Sequence, residues 1–360
     1  VKKKVLFHYN VPFDIHIKAL KHRNYNEGIF LNSTFASGLR KGFIRNNYEF
    51  QIEFVSGFFL NRRFFRSKLY YKIVFSIYNK IFGFIDNYFE CRRIYNKIKR
   101  EEINLYFTEL NPIVTKRFLK KLKLNSIRTI QWFGVFPNTI GFNNRPLKTT
   151  QFFDLTVSTA NILDKFKAPP KKFLEIFPVS DEINPKEIYE NSHFEYDIIF
   201  IGSLSKLHSN RWDFLEFIYD NFQSFVIYGY KSEDVPKKYK FLKNYKGSVW
   251  GQEYYKKLKS SKIIINLFLD GYEKLESGMN LRIVESLSRK NFVLTQYQNS
   301  LKKYFELDSE IATFKNLDDL KEKINLFLND KYLRKKFIDK GYERIKHFSY
   351  ENQIRKILEY

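Results

Sequence analysis

Short apolar runs of strand length alternate with stretches of helical periodicity along most of the chain. Val5–Tyr9, Phe50–Val55, Leu105–Thr108, Arg128–Phe133 and Leu155–Ser158 predict a first set of buried strands. Asp197–Ile201, Phe225–Tyr228, Ile263–Leu267, Phe292–Thr295 and Ile311–Phe314 predict a second. Helices are expected from Ser33–Gly38 to about Arg45, from Asn111 with Pro112 at its first position, over Asn161–Phe166, from Asn210 to about Asp220, and over Gln252–Ser260. From Asn316 helical spacing continues to Tyr360, with breaks near Asp330 and Phe348. The stretch holding Asp14, His16 and His22 reads as a long polar loop. Alternating strand and helix predicts parallel sheets with helices on both faces. The run EIFPVSDEINP, Glu175–Pro185, reads as a strand, a proline, a polar turn and a second proline, the chemistry of a linker. The expected organisation is therefore α/β, with two doubly wound Rossmann-like domains facing a cleft. Residues 1–178 form the first, 179–348 the second, and 349–360 a final helix returning to the first.

Composition narrows the classes. The 360 residues are 44% apolar and 19% aromatic, which excludes a disordered chain. The single cysteine, Cys91, excludes a disulfide framework and is consistent with a reducing compartment. VKKKVLFHYNVPF has too short an apolar run for a signal peptide, and no run of eighteen apolar residues predicts a membrane span. The net charge of +24 is uneven: residues 1–180 carry 32 basic and 12 acidic side chains. Residues 61–100 concentrate it, with eleven basic residues interleaved with aromatics and only Asp86 and Glu90 opposing them. Such a segment fits either a helical hairpin whose aromatics are core, or a face lying on anionic lipid at the inner surface of the cytoplasmic membrane. Interleaved bases and aromatics also suit single-stranded nucleic acid. No nucleic-acid motif accompanies them, so nucleic acid is not the expected partner.

The richest stretch is Glu276–Gln296, ESGMNLRIVESLSRKNFVLTQ. A polar loop containing Gly278 runs into a helix with Asn280 as N-cap and Leu281, Val284 and Leu287 on one face. Arg282 and Glu285 sit on another face, three residues apart. A surface ion pair accounts for that spacing. So does a phosphate site, with a cation beside the unpaired N–H groups of a helix start.

GMNLRIVESLSRKNFVLT followed by LKKYFE resembles the C-terminal signature of GT-B glycosyltransferases, especially the group named after spore maturation proteins. The resemblance implies that the loop Gly278, Met279, Asn280, Leu281 and Arg282 hold a nucleotide diphosphate, and that Glu285 binds the ribose hydroxyls. DIIFIGSLSK is similar to the strand and glycine loop opening the donor domain in that fold. It assigns Gly202 and Ser203 to phosphate, with Lys206 or Arg211 adding charge. Gly247-Ser-Val-Trp-Gly matches the position that meets the nucleobase, with Val249 against it and Trp250 able to stack; a core tryptophan is the alternative. Glu276 would contact the donor sugar, although it lies nine residues before Glu285 where related retaining enzymes space two glutamates by eight. Gly134, Val135 and Phe136 stand where the family leads one to expect an acidic residue.

The chemistry expected is sugar transfer from a nucleotide sugar to a surface glycan or lipid-linked acceptor. The six histidines form no two-His helical pair, and Asp318-Asp319 starts a helix, so no metal or other cofactor is expected. Fixed dipoles and cations would then stabilise the leaving diphosphate. A base for the acceptor hydroxyl would come from Asp14, His16 or Glu109 in the first domain. The alternatives are a basic, non-catalytic polyanion-binding protein and a degenerate transferase subunit.

Overall fold

The computed structural model describes residues 2–11, 13–54, 85, 87–109, 111, 113–133, 148–159, 163, 168–176, 194–250, 252–268 and 279–360. The chain divides into two compact units, residues 1–176 with 353–360, and residues 177–352.

Among the described residues the first unit holds six parallel strands: β1 (Lys3–Tyr9), β2 (Tyr48–Phe54), β3 (Leu105–Glu109), β4 (Arg128–Phe133), β5 (Leu155–Ser158) and β6 (Phe173–Glu175). Their order is β2-β1-β3-β4-β5-β6. Side chains alternate across the sheet as a pleat requires. Leu6 and Tyr106 join Ile94, Ile98, Phe118 and Leu122 in a core on one face. On the other face Phe107 meets the rings of Phe7 and Phe43 and lies tilted against Trp132. The last helix, Tyr350–Glu359, buries Ile354 and Ile357. Arg128 on β4 donates to the carbonyls of Ile357 and Leu358, at 3.0 and 2.8 Å. A cation there meets the orphan carbonyls at a helix C-terminus.

The second unit holds five parallel strands among the described residues: β7 (Tyr196–Ser203), β8 (Phe225–Tyr230), β9 (Ser261–Asn266), β10 (Val293–Gln296) and β11 (Ala312–Phe314). Their order is β11-β10-β9-β7-β8. Ile198 and Phe200 point into one core with Leu215 and Phe314, while Ile199 and Ile201 point into another with Leu258. Burial on both faces is why these strands read as unbroken apolar runs.

Three expectations change. The polar loop around His16 is helical, Phe13–Ala19 and Tyr25–Asn32. Asn24 caps the second helix by accepting from the amides of Asn26 and Glu27. Gly28 lets it lie close to the first, since a Cβ there would sit 2.8 Å from the Ala19 carbonyl. The helix expected from Asn111 begins instead at Lys116 with Thr115 as its cap. Asn111 is buried and reaches the His8 ring at 3.1 Å. Finally, Leu281 is 47% exposed; Ile283, Val284 and Leu287 form the buried face of the Leu281–Leu287 helix.

Candidate functional site

Open parallel sheets bind ligands at the carboxyl ends of their strands, where the strand order reverses. In the second sheet that point lies between β7 and β9, because the chain passes from β7 out to β8 and back to β9. Gly202 and Ser203 end β7, and Asn266 ends β9.

Arg282 occupies this position. Its Nη1 donates to Asn266 Oδ1 at 3.0 Å, and Asn266 is oriented by donating to Thr295 Oγ1 at 2.8 Å. The guanidinium lies against the backbone of Gly202, where a Cβ would stand 2.4 Å from Arg282 Nη2. The residue at 202 must therefore lack a side chain for Arg282 to sit there. Arg211 approaches from the Asn210–Asn221 helix, 5% exposed, donating to the carbonyls of Ser203 and Phe268 at 3.0 and 3.3 Å. Both guanidinium carbons lie over the Phe200 ring, at 5.1 Å for Arg282 and 5.9 Å for Arg211. Burial lowers the pKa of Arg282, partly opposed by Tyr254 and Glu285. A guanidinium nonetheless remains charged at any physiological pH.

Glu285 does not pair with Arg282. Tyr254, on the Gln252–Lys259 helix, donates to Glu285 Oε2 at 2.9 Å. Burial raises the Tyr254 hydroxyl well above its ordinary pKa, and the Glu285 charge raises it further, so it stays a donor. The surface ion pair that the i,i+3 spacing allows is thus replaced by two separate partnerships.

The neighbouring loop is set by Gly229 and Gly247. Gly229 donates to the Gly247 carbonyl at 2.9 Å, and Gly247 has a φ of +94°, which suits glycine. Val249 packs against the core, and Trp250 is 53% exposed beside Tyr230, with ring centroids 5.8 Å apart. Trp250 is therefore not a core side chain. Lys206 lies exposed on a 3-10 turn, its amide bonded to Asp234 Oδ2. Met279 is buried; Asn280 stands at the N-cap position without making a cap hydrogen bond, and its Oδ1 is buried without a partner. Glu276 and Gly278 lie outside the described residues, as do Gly134, Val135 and Phe136.

One residue here carries no expectation from sequence. His208 closes the turn after β7, and its Nδ1 is buried without a hydrogen-bond partner. Burial first, then Arg211 and Arg282, push its pKa down to about 3. Nothing in the run SKLHSNRW distinguishes it from a surface histidine; only the fold brings it near Arg282.

In the first unit the strand order reverses between β1 and β3. Glu109 ends β3, half-buried, and burial raises its carboxyl to about 7. His16 is buried, its Nδ1 sharing a hydrogen bond with Tyr25 at 2.8 Å. The Asp14 side chain lies outside the described residues. Beneath this edge His8 contacts Tyr106 at 2.8 Å and Glu90 at 3.2 Å. Burial pushes the Glu90 carboxyl up, but bonds from His8 and Arg93 outweigh it, and its pKa is lowered. Arg93 and Lys97 also hold Glu53, at 2.6 and 2.7 Å. Part of the positive charge in residues 61–100 is therefore spent inside the fold; residues 61–84 lie outside the described residues. Among the described residues no helix is long and apolar enough to cross a membrane.

Residues 211–359 match a family model described as glycosyl transferase-like. A search of the curated proteins by sequence finds no match. Among solved structures, Anabaena HepE, determined with UDP and glucose, is similar at a TM-score of 0.60 and 10% identity, over 99% of each chain. A glycosyltransferase from Rickettsia africae ESF-5 is similar at 0.56 and 14% identity, over 99% of this chain and 97% of that one. S. aureus TarM is similar at 0.50 and 17% identity over 71% of this chain. The match covers 54% of TarM, so the chain spans about half of that protein's length. Two parallel α/β sheets of this order, and these likenesses, give the chain the GT-B fold.

Proposed function

We propose that the protein transfers a sugar from a nucleotide-sugar donor, and that the second unit binds the donor. The observation carrying this is the placement of Arg282 at the β7–β9 reversal, against Gly202 and bonded to Asn266. In this reading Arg282 and Arg211 face the diphosphate and stabilise the charge that develops as the sugar leaves. Because Asn266 and the carbonyls already hold these groups in place, little reorganisation accompanies the reaction. Glu285, fixed by Tyr254, accepts from the ribose hydroxyls. Trp250 and Tyr230 offer an aromatic surface to the base. The complex of HepE with UDP and glucose makes uridine diphosphate sugars the first donors to test.

Glu109 is the strongest of the three candidates for general base. A carboxyl near pKa 7 is matched to proton transfer at neutral pH, and it lies at the ligand-binding edge of the first sheet. The acceptor in this reading is a surface glycan or lipid-linked precursor, reached at the cytoplasmic face of the membrane.

The deciding experiment is a thermal-shift screen over nucleotides and nucleotide sugars, followed by product detection with the donors that bind. A ligand specific for the folded state at about a hundred times its Kd adds roughly 2.7 kcal/mol. Binding by nucleoside diphosphates, and turnover that survives a chelator, are the expected results. Absence of any shift across the panel refutes the donor site. Complete, reversible loss of turnover with chelator refutes a metal-free reaction.

A further inference from the structure

His208 stands beside the two arginines with a buried ring nitrogen that nothing among the described residues satisfies. A buried polar atom left unpaired is costly, and in native proteins it calls for a reason. Two other buried atoms without a partner lie on the segments that carry the arginines. Asn210 Oδ1 adjoins Arg211, and Asn280 Oδ1 lies two residues before Arg282. The charged groups acting on the ring come from two elements, Arg211 on the Asn210–Asn221 helix and Arg282 on the Leu281–Leu287 helix. On its own turn Lys206 is exposed and Asp234 bonds the Lys206 amide. Burial first, and then these two cations, keep the imidazole neutral in the free protein.

We propose that His208 is a third ligand of the donor diphosphate and takes up one proton when the diphosphate binds, so that donor affinity rises as pH falls. This rests on the donor-site reading above. A diphosphate diester brings two negative charges. Placed against Arg211 and Arg282, it reverses the positive potential that helps to keep His208 neutral and offers an acceptor oxygen to the unpaired ring nitrogen. The proton comes from solvent to the free ring nitrogen, and the imidazolium then donates from both nitrogens. The larger cause of the low pKa, desolvation, is offset by that ion pair. Sequence position gives no hint of the effect, because it requires both arginines and the ring to converge.

A nucleotide sugar is the right probe, since its diphosphate diester has no proton to gain or lose near neutrality, whereas a free nucleoside diphosphate does. UDP-glucose and the corresponding guanosine, adenosine and thymidine sugars are titrated calorimetrically near pH 6 and near pH 8. Two buffers of very different ionisation enthalpy at each pH count the protons exchanged. The expected result is uptake approaching one proton near pH 6, and affinity about tenfold higher there than near pH 8. His208→Gln keeps a hydrogen-bond donor but cannot titrate; it should bind with no proton uptake and little pH dependence. The proton count on the parent protein stands even if that variant folds poorly. Binding without proton uptake, or the same uptake in His208→Gln, overturns the proposal and leaves the donor site intact. Failure of every nucleotide sugar to bind overturns the donor site and this proposal with it.

Discussion

Two glycines at the same sheet edge separate what the site needs from what the fold needs. A Cβ at Gly202 would stand 2.4 Å from Arg282 Nη2 and 2.9 Å from Phe200 Cζ. Real contacts that close do not persist, so something moves. The nearest atom is the far end of a long side chain, and Arg282 can swing away. Gly202→Ala should therefore fold, with a cost of about 1–2 kcal/mol from the displaced Phe200 ring edge and the lost bond to Asn266. A Cβ at Gly229 would instead stand 1.9 Å from the carbonyl oxygen of Gly202, its partner in the parallel β7–β8 register. That neighbour is backbone inside a sheet, and relief requires the strands to part. Gly229→Ala should cost about 3 kcal/mol or more, at or beyond the usual overpacking range. Urea denaturation measures both costs. Calorimetric titration with a nucleotide sugar measures the second consequence. Gly202→Ala should weaken donor binding by about 1.5–3 kcal/mol, the worth of hydrogen bonds to a charged group, or roughly tenfold to a hundredfold in Kd. A folded Gly202→Ala protein that binds the donor as the parent does would show that the position of Arg282 against residue 202 is not what holds the diphosphate.

Glu285→Gln should weaken nucleoside and nucleotide-sugar binding alike by about 1.5–3 kcal/mol, while Arg282→Ala spares the nucleoside and costs affinity only for the diphosphate; titration of nucleoside, nucleoside diphosphate and nucleotide sugar separates them, and parental binding of all three by both variants removes the donor assignment. Glu109 has a folded pKa of about 7 against an ordinary 4.5, so its protonated form is favoured by folding and its contribution is lost as pH rises between those values. Glu109→Gln should match the parent in stability below about pH 4.5 and exceed it by up to about 3 kcal/mol above pH 7; an equal difference at both ends contradicts the buried carboxyl. If residues 61–100 face a membrane, the protein should sediment with anionic vesicles and release as salt rises, with Arg62, Arg63 and Arg66 changed to Glu weakening the association; equal binding to neutral vesicles argues against that face.

The second sheet was almost fully legible because its strands are buried on both faces. Phe225–Tyr228 and Ile263–Leu267 announce themselves as apolar runs, and the observed strands differ from expectation by only a few residues at their ends. The three-residue edge strand β6 was less so: the strand expected from Glu175 overlaps it only at its last residue, because Phe173–Glu175 is half-buried throughout. The helices on either side of Arg23 were missed for a similar reason. They are short, and the second has apolar residues on no consistent face; what holds it is the Asn24 cap and the contact at Gly28. Asn111 and Pro112 imitate a helix start, but Asn111 is drawn away to His8 and Thr115 caps instead. At the site, Gly202, Arg282 and Glu285 could be chosen from sequence. Their partners Asn266, Tyr254 and His208 could not, because each arrives from a different strand end or helix and no local pattern marks it.

Those partners decide how the charges behave. On an isolated helix Arg282 and Glu285 would meet and largely cancel, at a gain of only about 0.2–0.5 kcal/mol. Asn266 and the bare backbone of Gly202 draw the guanidinium towards the strand ends, and Tyr254 holds the carboxylate aside. The helix thus does not neutralise itself. Its cation is instead placed over the Phe200 ring that also underlies Arg211, concentrating positive charge where desolvation makes it most costly. An arrangement of that kind is poorly stabilised by the protein alone and well stabilised by a dianion. It also accounts for the depressed His208 pKa without any feature peculiar to that residue, since desolvation and the same two cations produce both effects. Removing either cation should therefore relieve the histidine as well as weaken the ligand, and the His208 pKa in Arg282→Ala, followed by NMR titration, should move up towards the ordinary imidazole value. A pKa unchanged in that variant would mean that Arg282 does not help to keep the ring neutral, and the coupling between Arg282, His208 and the diphosphate would lose its electrostatic basis.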